Sequence, residues 1–164
     1  MKRKIVFASI FAVVALTCVA GLSDPPHRTD EALLENFRRH RADFERLREM
    51  VDQDKALLGV TDDRTQPDDP EAVGIPASRI AEFRALLKAL GIRGGLKISA
   101  DRGTIELTAS ARGVVTHNSS KGYMYMAAPA GRTLLDSLDE VTAKGVGSGL
   151  RRIEGNWYLF FEGY

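Results

Sequence analysis

Cys18 is the only cysteine in this chain of 164 residues. One thiol excludes a disulfide within the chain and any cysteine-based metal cluster, so stability in an oxidising compartment has to come from the core. Histidine is nearly as scarce. His27, His40 and His117 lie far apart and form no close ligand set, and neither a metal nor another cofactor is expected. An excess of basic charge is also missing, with 23 basic residues against 22 acidic ones. Setting aside Lys2, Arg3 and Lys4 leaves 20 against 22, a formal charge of −2. A nucleic-acid-binding domain needs a strong basic excess, so that class of partner is excluded. No Gly-x-Ser-x-Gly or Ser-x-x-Lys motif marks a nucleophile, and Gly145 to Gly149 has the wrong spacing for a phosphate-binding loop.

What is present begins at the N-terminus. Lys2, Arg3 and Lys4 precede an apolar run, Ile5 to Leu22, that ends in small residues around Ala20, and this is the form of a secretory signal. Residues 1–22 are therefore expected to direct export from a bacterial cytoplasm, giving a periplasmic protein that is soluble or membrane-tethered. Three routes of processing fit: cleavage after Ala20, lipid attachment at Cys18, or retention as an anchor of about 18 apolar residues. Cys18 lies where a lipoprotein cysteine would, but Thr17 stands where such signals carry Gly, Ala or Ser.

Residues 23–29 read as a polar tether and 30–164 as one domain. Thr29 suits a helix N-cap with Asp30 and Glu31 in the first turn. Leu33, Phe37, Phe44, Leu47, Val51 and Leu58 then recur at helical spacing, predicting one long amphipathic helix that breaks near Asp52 to Asp54. Residues 61–73, with five acids, Pro67 and Pro70, read as an exposed loop. A second amphipathic helix follows Pro76 and stops at Gly91. Period two takes over from Leu96: strands at 96–100 and 104–109 around Asp101-Arg102-Gly103, with Gly103 supplying the left-handed residue, then strands at 113–116 and 123–127. Thr133 and Asp136 suggest a capping box for a short inserted helix through Val141. A glycine-rich connector precedes a closing hairpin around Gly155-Asn156, whose last strand, Trp157 to Phe161, is apolar on both faces. The expected class is α+β: two N-terminal amphipathic helices, then an antiparallel sheet of five to six strands with one inserted helix.

The candidate site is the polar stretch His117 to Tyr123. A serine needs a base to act as a nucleophile, and His117 or Lys121 could activate Ser119 or Ser120. The alternative is a polar loop whose Asn118 and serines satisfy turn backbone. Asp62, Asp63, Asp68 and Asp69 lack the regular spacing of a calcium loop. The arginines from Arg38 to Arg48 could meet anionic lipid, or could pair with Glu45 and Glu49 along the helix.

Ser120-Lys-Gly-Tyr123, Leu134-Leu-Asp-Ser-Leu-Asp139 and Arg151-Arg-Ile-Glu-Gly-Asn-Trp-Tyr-Leu-Phe-Phe-Glu162 together resemble a family of small exported bacterial proteins. Many members of that family carry lipoprotein-like signals. The resemblance implies an envelope location and brings no active-site residues with it. The reading that follows is a non-enzymatic binding or structural module acting on another envelope protein or ligand, and touching the membrane only through its N-terminal segment or a lipid on Cys18. The alternatives are a hydrolase-like enzyme using His117 with Ser119 or Ser120, and an inhibitor or immunity-type partner of a secreted enzyme.

Overall fold

A computed structural model describes residues 25–114, 117–129 and 131–164; the signal-like segment and Cys18 lie outside the described residues. The Thr29 hydroxyl accepts the Ala32 amide at 3.3 Å and caps α1, Asp30–Arg39. The chain leaves the helical region at His40 (φ −112°, ψ 23°) and restarts as α2, Arg41–Gln53. The expected single helix is thus two. The corner at His40 leaves the rings of Phe37 and Phe44 4.9 Å apart, both buried against the sheet. Neither glycine nor proline marks this corner, so packing sets it rather than local propensity. Helix α3, Ala77–Ala89, starts behind Pro76 and ends before Gly91, whose φ of +69° is the left-handed stop that glycine supplies.

Seven strands make one antiparallel sheet in the order β2-β1-β3-β4-β5-β7-β6. Two short strands, β1 (Gly59–Val60) and β2 (Thr65–Gln66), pair at one edge, so the expected acidic loop holds an edge strand and a turn of 3-10 helix at Glu71–Val73. Next come β3 (Gly95–Ile98), β4 (Thr104–Val114), β5 (His117–Met126), β6 (Gly147–Glu154) and β7 (Trp157–Gly163). The stretch 117–121, expected as a loop, is therefore the first half of β5. The inserted helix also differs from expectation. Leu134 bridges Leu150 beside β6, and α4 spans only Asp139–Lys144. In the β3–β4 turn the left-handed residue is Arg102 (φ 59°) rather than Gly103. The Arg102 guanidinium donates to the carbonyls of Lys55 and Leu57 at 2.7 and 2.9 Å, which fixes the turn against the end of α2.

The helices cover one face. Phe37, Phe44, Leu47, Phe83 and Leu87 pack there on Leu107, Tyr123, Trp157, Leu159 and Phe161, each fully buried apolar side chain contributing roughly 1.5–3 kcal/mol relative to exposure. A second buried cluster of Met124, Met126, Leu150, Tyr158 and Phe160 lies on the opposite face. There Arg132, on the chain between β5 and α4, donates to Glu162 at 2.8 Å. Strand β7 is thus buried on both faces, as its apolar alternation requires.

Candidate functional site

Alternation along β5 sends Ser119, Lys121 and Tyr123 toward the helix face, and Asn118, Ser120 and Gly122 toward the other. Beside them β4 slips register by one residue between Thr108 and Ser110. A slip of one residue reverses which side chains face the core. It brings Ser110 onto the helix face, opposite Lys121. Gly122 is required for this close approach: a Cβ there would stand 2.0 Å from the Leu107 carbonyl oxygen.

Lys121 is 0 % exposed. Its Nζ lies 2.7 Å from Asp30 Oδ1 at the start of α1 and 2.7 Å from Asp139 Oδ1 at the start of α4. The Asp30 contact is a close ion pair rather than a well-aligned hydrogen bond. Asp30 Oδ2 accepts from the Leu138 amide at 2.7 Å and from Arg151 Nη1 of β6 at 3.0 Å. The Asp30 amide donates to Asp139 at 3.0 Å. Burial alone would raise the Asp30 carboxyl, but Lys121, the Leu138 amide and Arg151 outweigh it and hold the pKa below the ordinary carboxylate value. Two cations and two carboxylates thus close into a neutral cluster on the core side of the sheet.

Next to it sits His27, from the tether. Its Nδ1 lies 2.8 Å from Ser110 Oγ and its Nε2 2.9 Å from Ser119 Oγ, while its ring meets Phe161 edge-on at 5.7 Å. Desolvation, then Arg112 and Lys121, push the imidazole pKa below its ordinary value, so the ring is neutral at pH 7. A neutral imidazole donates through one nitrogen and accepts through the other, and the two hydroxyls can turn to match either tautomer. Tyr123 completes the row along β5: its hydroxyl donates to the Leu33 carbonyl at 3.0 Å and accepts from Asn36 Nδ2 at 3.0 Å, and burial pushes its pKa up to about 12. The β5 row therefore fastens the tether, α1 and the start of α4 to the sheet.

Of the expected site residues, Ser119 and Lys121 lie on this face, whereas Ser120 points the other way. His117 opens β5 opposite Val114, but its side chain lies outside the described residues. Ser119 and Ser120 both line a cavity of about 300 Å³ with Arg112, Asn118, Glu162 and Tyr164, and neither His27 nor Lys121 is among its lining residues. Residue spacing pointed to Ser119 and Lys121 but not to His27, Ser110, Asp30, Asp139 or Arg151. A lysine two positions before Tyr123 on one face of a strand is the signal that the stretch hides a buried cation in need of acids.

The outer arginines are engaged on the surface. Arg38 pairs with Glu31 at 3.3 Å, Arg39 with Glu35, Arg41 with Glu154, and Arg48 with Glu45 and Asp52 at 3.0 and 2.6 Å. Arg46 reaches Glu82 of α3 at 2.5 Å rather than Glu49. Among the described residues no group of three His, Cys, Asp or Glu side chains could hold a metal ion, and no helix is long and apolar enough to cross a membrane. No protein-family model, curated protein or solved structure matches this chain.

Proposed function

We propose that this chain is a non-enzymatic module of the bacterial envelope. It is exported by residues 1–22, is either soluble or held at a membrane through Cys18 or the apolar run, and binds another envelope component. Its working unit is the α+β domain from residue 30 onward, carried on the 23–29 tether, with two amphipathic helical stretches laid against the sheet.

The observation that carries this reading is the closure of the polar cluster. Lys121 is wholly buried between two carboxylates, and both ring nitrogens of His27 are taken by serine hydroxyls. A catalytic set leaves a group free for substrate, and its nucleophile and base converge on a cavity. Here Ser119 lines the cavity together with Ser120, but neither candidate base, His27 or Lys121, lines it. The cluster therefore acts as a clamp on the N-terminal segment.

Hydrolysis of nitrophenyl esters by the wild-type chain, Ser119→Ala and His117→Ala tests this directly. The expected result is a background rate for all three. A wild-type rate well above background that either substitution removes without lowering the melting temperature would establish the hydrolase instead. Export is tested by intact mass of the protein from membrane, periplasmic and cytosolic fractions. A chain starting at Gly21 or an acylated Cys18 is expected, and a dominant uncut cytosolic form would overturn the location.

A further inference from the structure

Four cations stand apart from the paired arginines of α1 and α2. Arg28, Lys88, Arg93 and Arg112 are all exposed, and none pairs with a carboxylate among the described residues. They gather where the tether meets the sheet. Arg28 follows His27 directly and brings its guanidinium against Gly91, 3.1 Å from where a Cβ would stand. Gly91 in turn bonds back to the Lys88 carbonyl. The Arg93 amide donates to Thr108 of β4 at 3.1 Å, two residues before the Ser110 that holds His27. Arg112 stands opposite Ser119 in the β4–β5 ladder, the serine that holds the imidazole through Nε2. The nearest acids in sequence, Asp30 and Glu31, are already taken by Lys121 with Arg151 and by Arg38.

Residues 1–24 join the domain through the tether, at this same place. Leu22, the end of the apolar run, lies five residues before His27, so a fully extended chain separates them by at most about 18 Å. Even Cys18, nine residues away, is within about 32 Å of the clamp. An N-terminus held in a bilayer through either element keeps this face within that reach of the headgroups. Unpaired cations near an anionic surface are attracted to it, and those pointing elsewhere are not.

We infer that the face around Arg28, Lys88, Arg93 and Arg112 docks on a bilayer containing anionic phospholipid. The domain then lies against the membrane instead of hanging free on its tether. This rests on the envelope reading above and adds a second contact to the N-terminal one.

The test is partition of the full chain onto phosphatidylcholine vesicles with and without phosphatidylglycerol. The wild type is compared with two triple variants of equal charge change: Arg28→Gln/Arg93→Gln/Arg112→Gln, and Arg38→Gln/Arg39→Gln/Arg46→Gln. At about fivefold per cation near the surface, the first triple should lose about 100-fold of the gain that phosphatidylglycerol confers. The second should keep that gain, and lysine at the first three positions should restore it. Equal loss in both triples would reduce the effect to net charge. A gain that survives the first triple and disappears only on neutralising Lys2, Arg3 and Lys4 would assign it to the signal segment. Either outcome overturns the docking face while leaving export intact. A cytosolic uncut chain by intact mass would overturn export without touching the vesicle result.

Discussion

His27 is held by neutral partners in a place that disfavours its charged form. The cluster beside it is already balanced, with Lys121 and Arg151 against Asp30 and Asp139. A proton on the imidazole would add a charge facing Lys121 and Arg112, with no carboxylate left to answer it. Because desolvation and these two cations lower the folded pKa from 6.5, the unfolded chain binds more protons over the window below that value. The contribution of His27 to stability is therefore complete above pH 6.5 and declines as the pH falls through the folded pKa. Asp30, lowered from 3.8, contributes above that value and is lost only below it, so its window opens at a lower pH than that of His27. Urea midpoints at a series of pH values should fall as the solution is made mildly acidic, and His27→Gln should remove that slope. His40 and His117 are present in both proteins, so identical slopes would mean that His27 does not titrate with folding.

The elements that could be read from residue order are those specified locally. Thr29 caps a helix, Gly91 ends one at φ +69°, and Gly155-Asn156 joins β6 to β7. Each depends on residues within one turn of one another. The misplaced elements depend on distant partners. The corner at His40 follows from docking Phe37 and Phe44 on Tyr123 and Trp157. Positive φ passes from Gly103 to Arg102 because its guanidinium binds carbonyls more than forty residues away, Leu57 at a separation of 45. The polar stretch 117–121 is a strand because β4 and β7 flank it, and polarity alone suggested a loop. The candidate site follows the same rule: Ser119 and Lys121 stood out, but their partners His27, Asp139 and Asp30 come from other parts of the chain, His27 at a separation of 92. The three stretches that carried the resemblance meet here, through Lys121, Asp139 and Arg151 around Asp30.

At the scale of the whole molecule, the helix layer and the sheet have few independent parts. Trp157 is the chain's one tryptophan and is 2 % exposed. Its ring lies 5.6 Å from Phe37, 5.5 Å from Phe44 and 5.1 Å from Tyr125, and its Nε1 donates to Glu45 of α2 at 2.8 Å. It therefore reports on the contact between α1, α2 and β7, while far-UV circular dichroism reports on all elements together. Since β7 also carries Tyr158 and Phe160 of the second apolar cluster, loss of the helix layer would expose one side of a strand that the other side still needs. The two signals should give a single shared urea midpoint, the mark of a two-state transition. Lys121→Met should lower both together, because it leaves Asp30 buried without its nearest cation, a change that costs about 3–5 kcal/mol. Reductant should move neither signal, since the one thiol, Cys18, precedes the domain. A tryptophan transition that comes first would mean that the clamp fastens a separable helical layer. In that case Lys121→Met would shift the fluorescence midpoint and leave the later dichroism change in place.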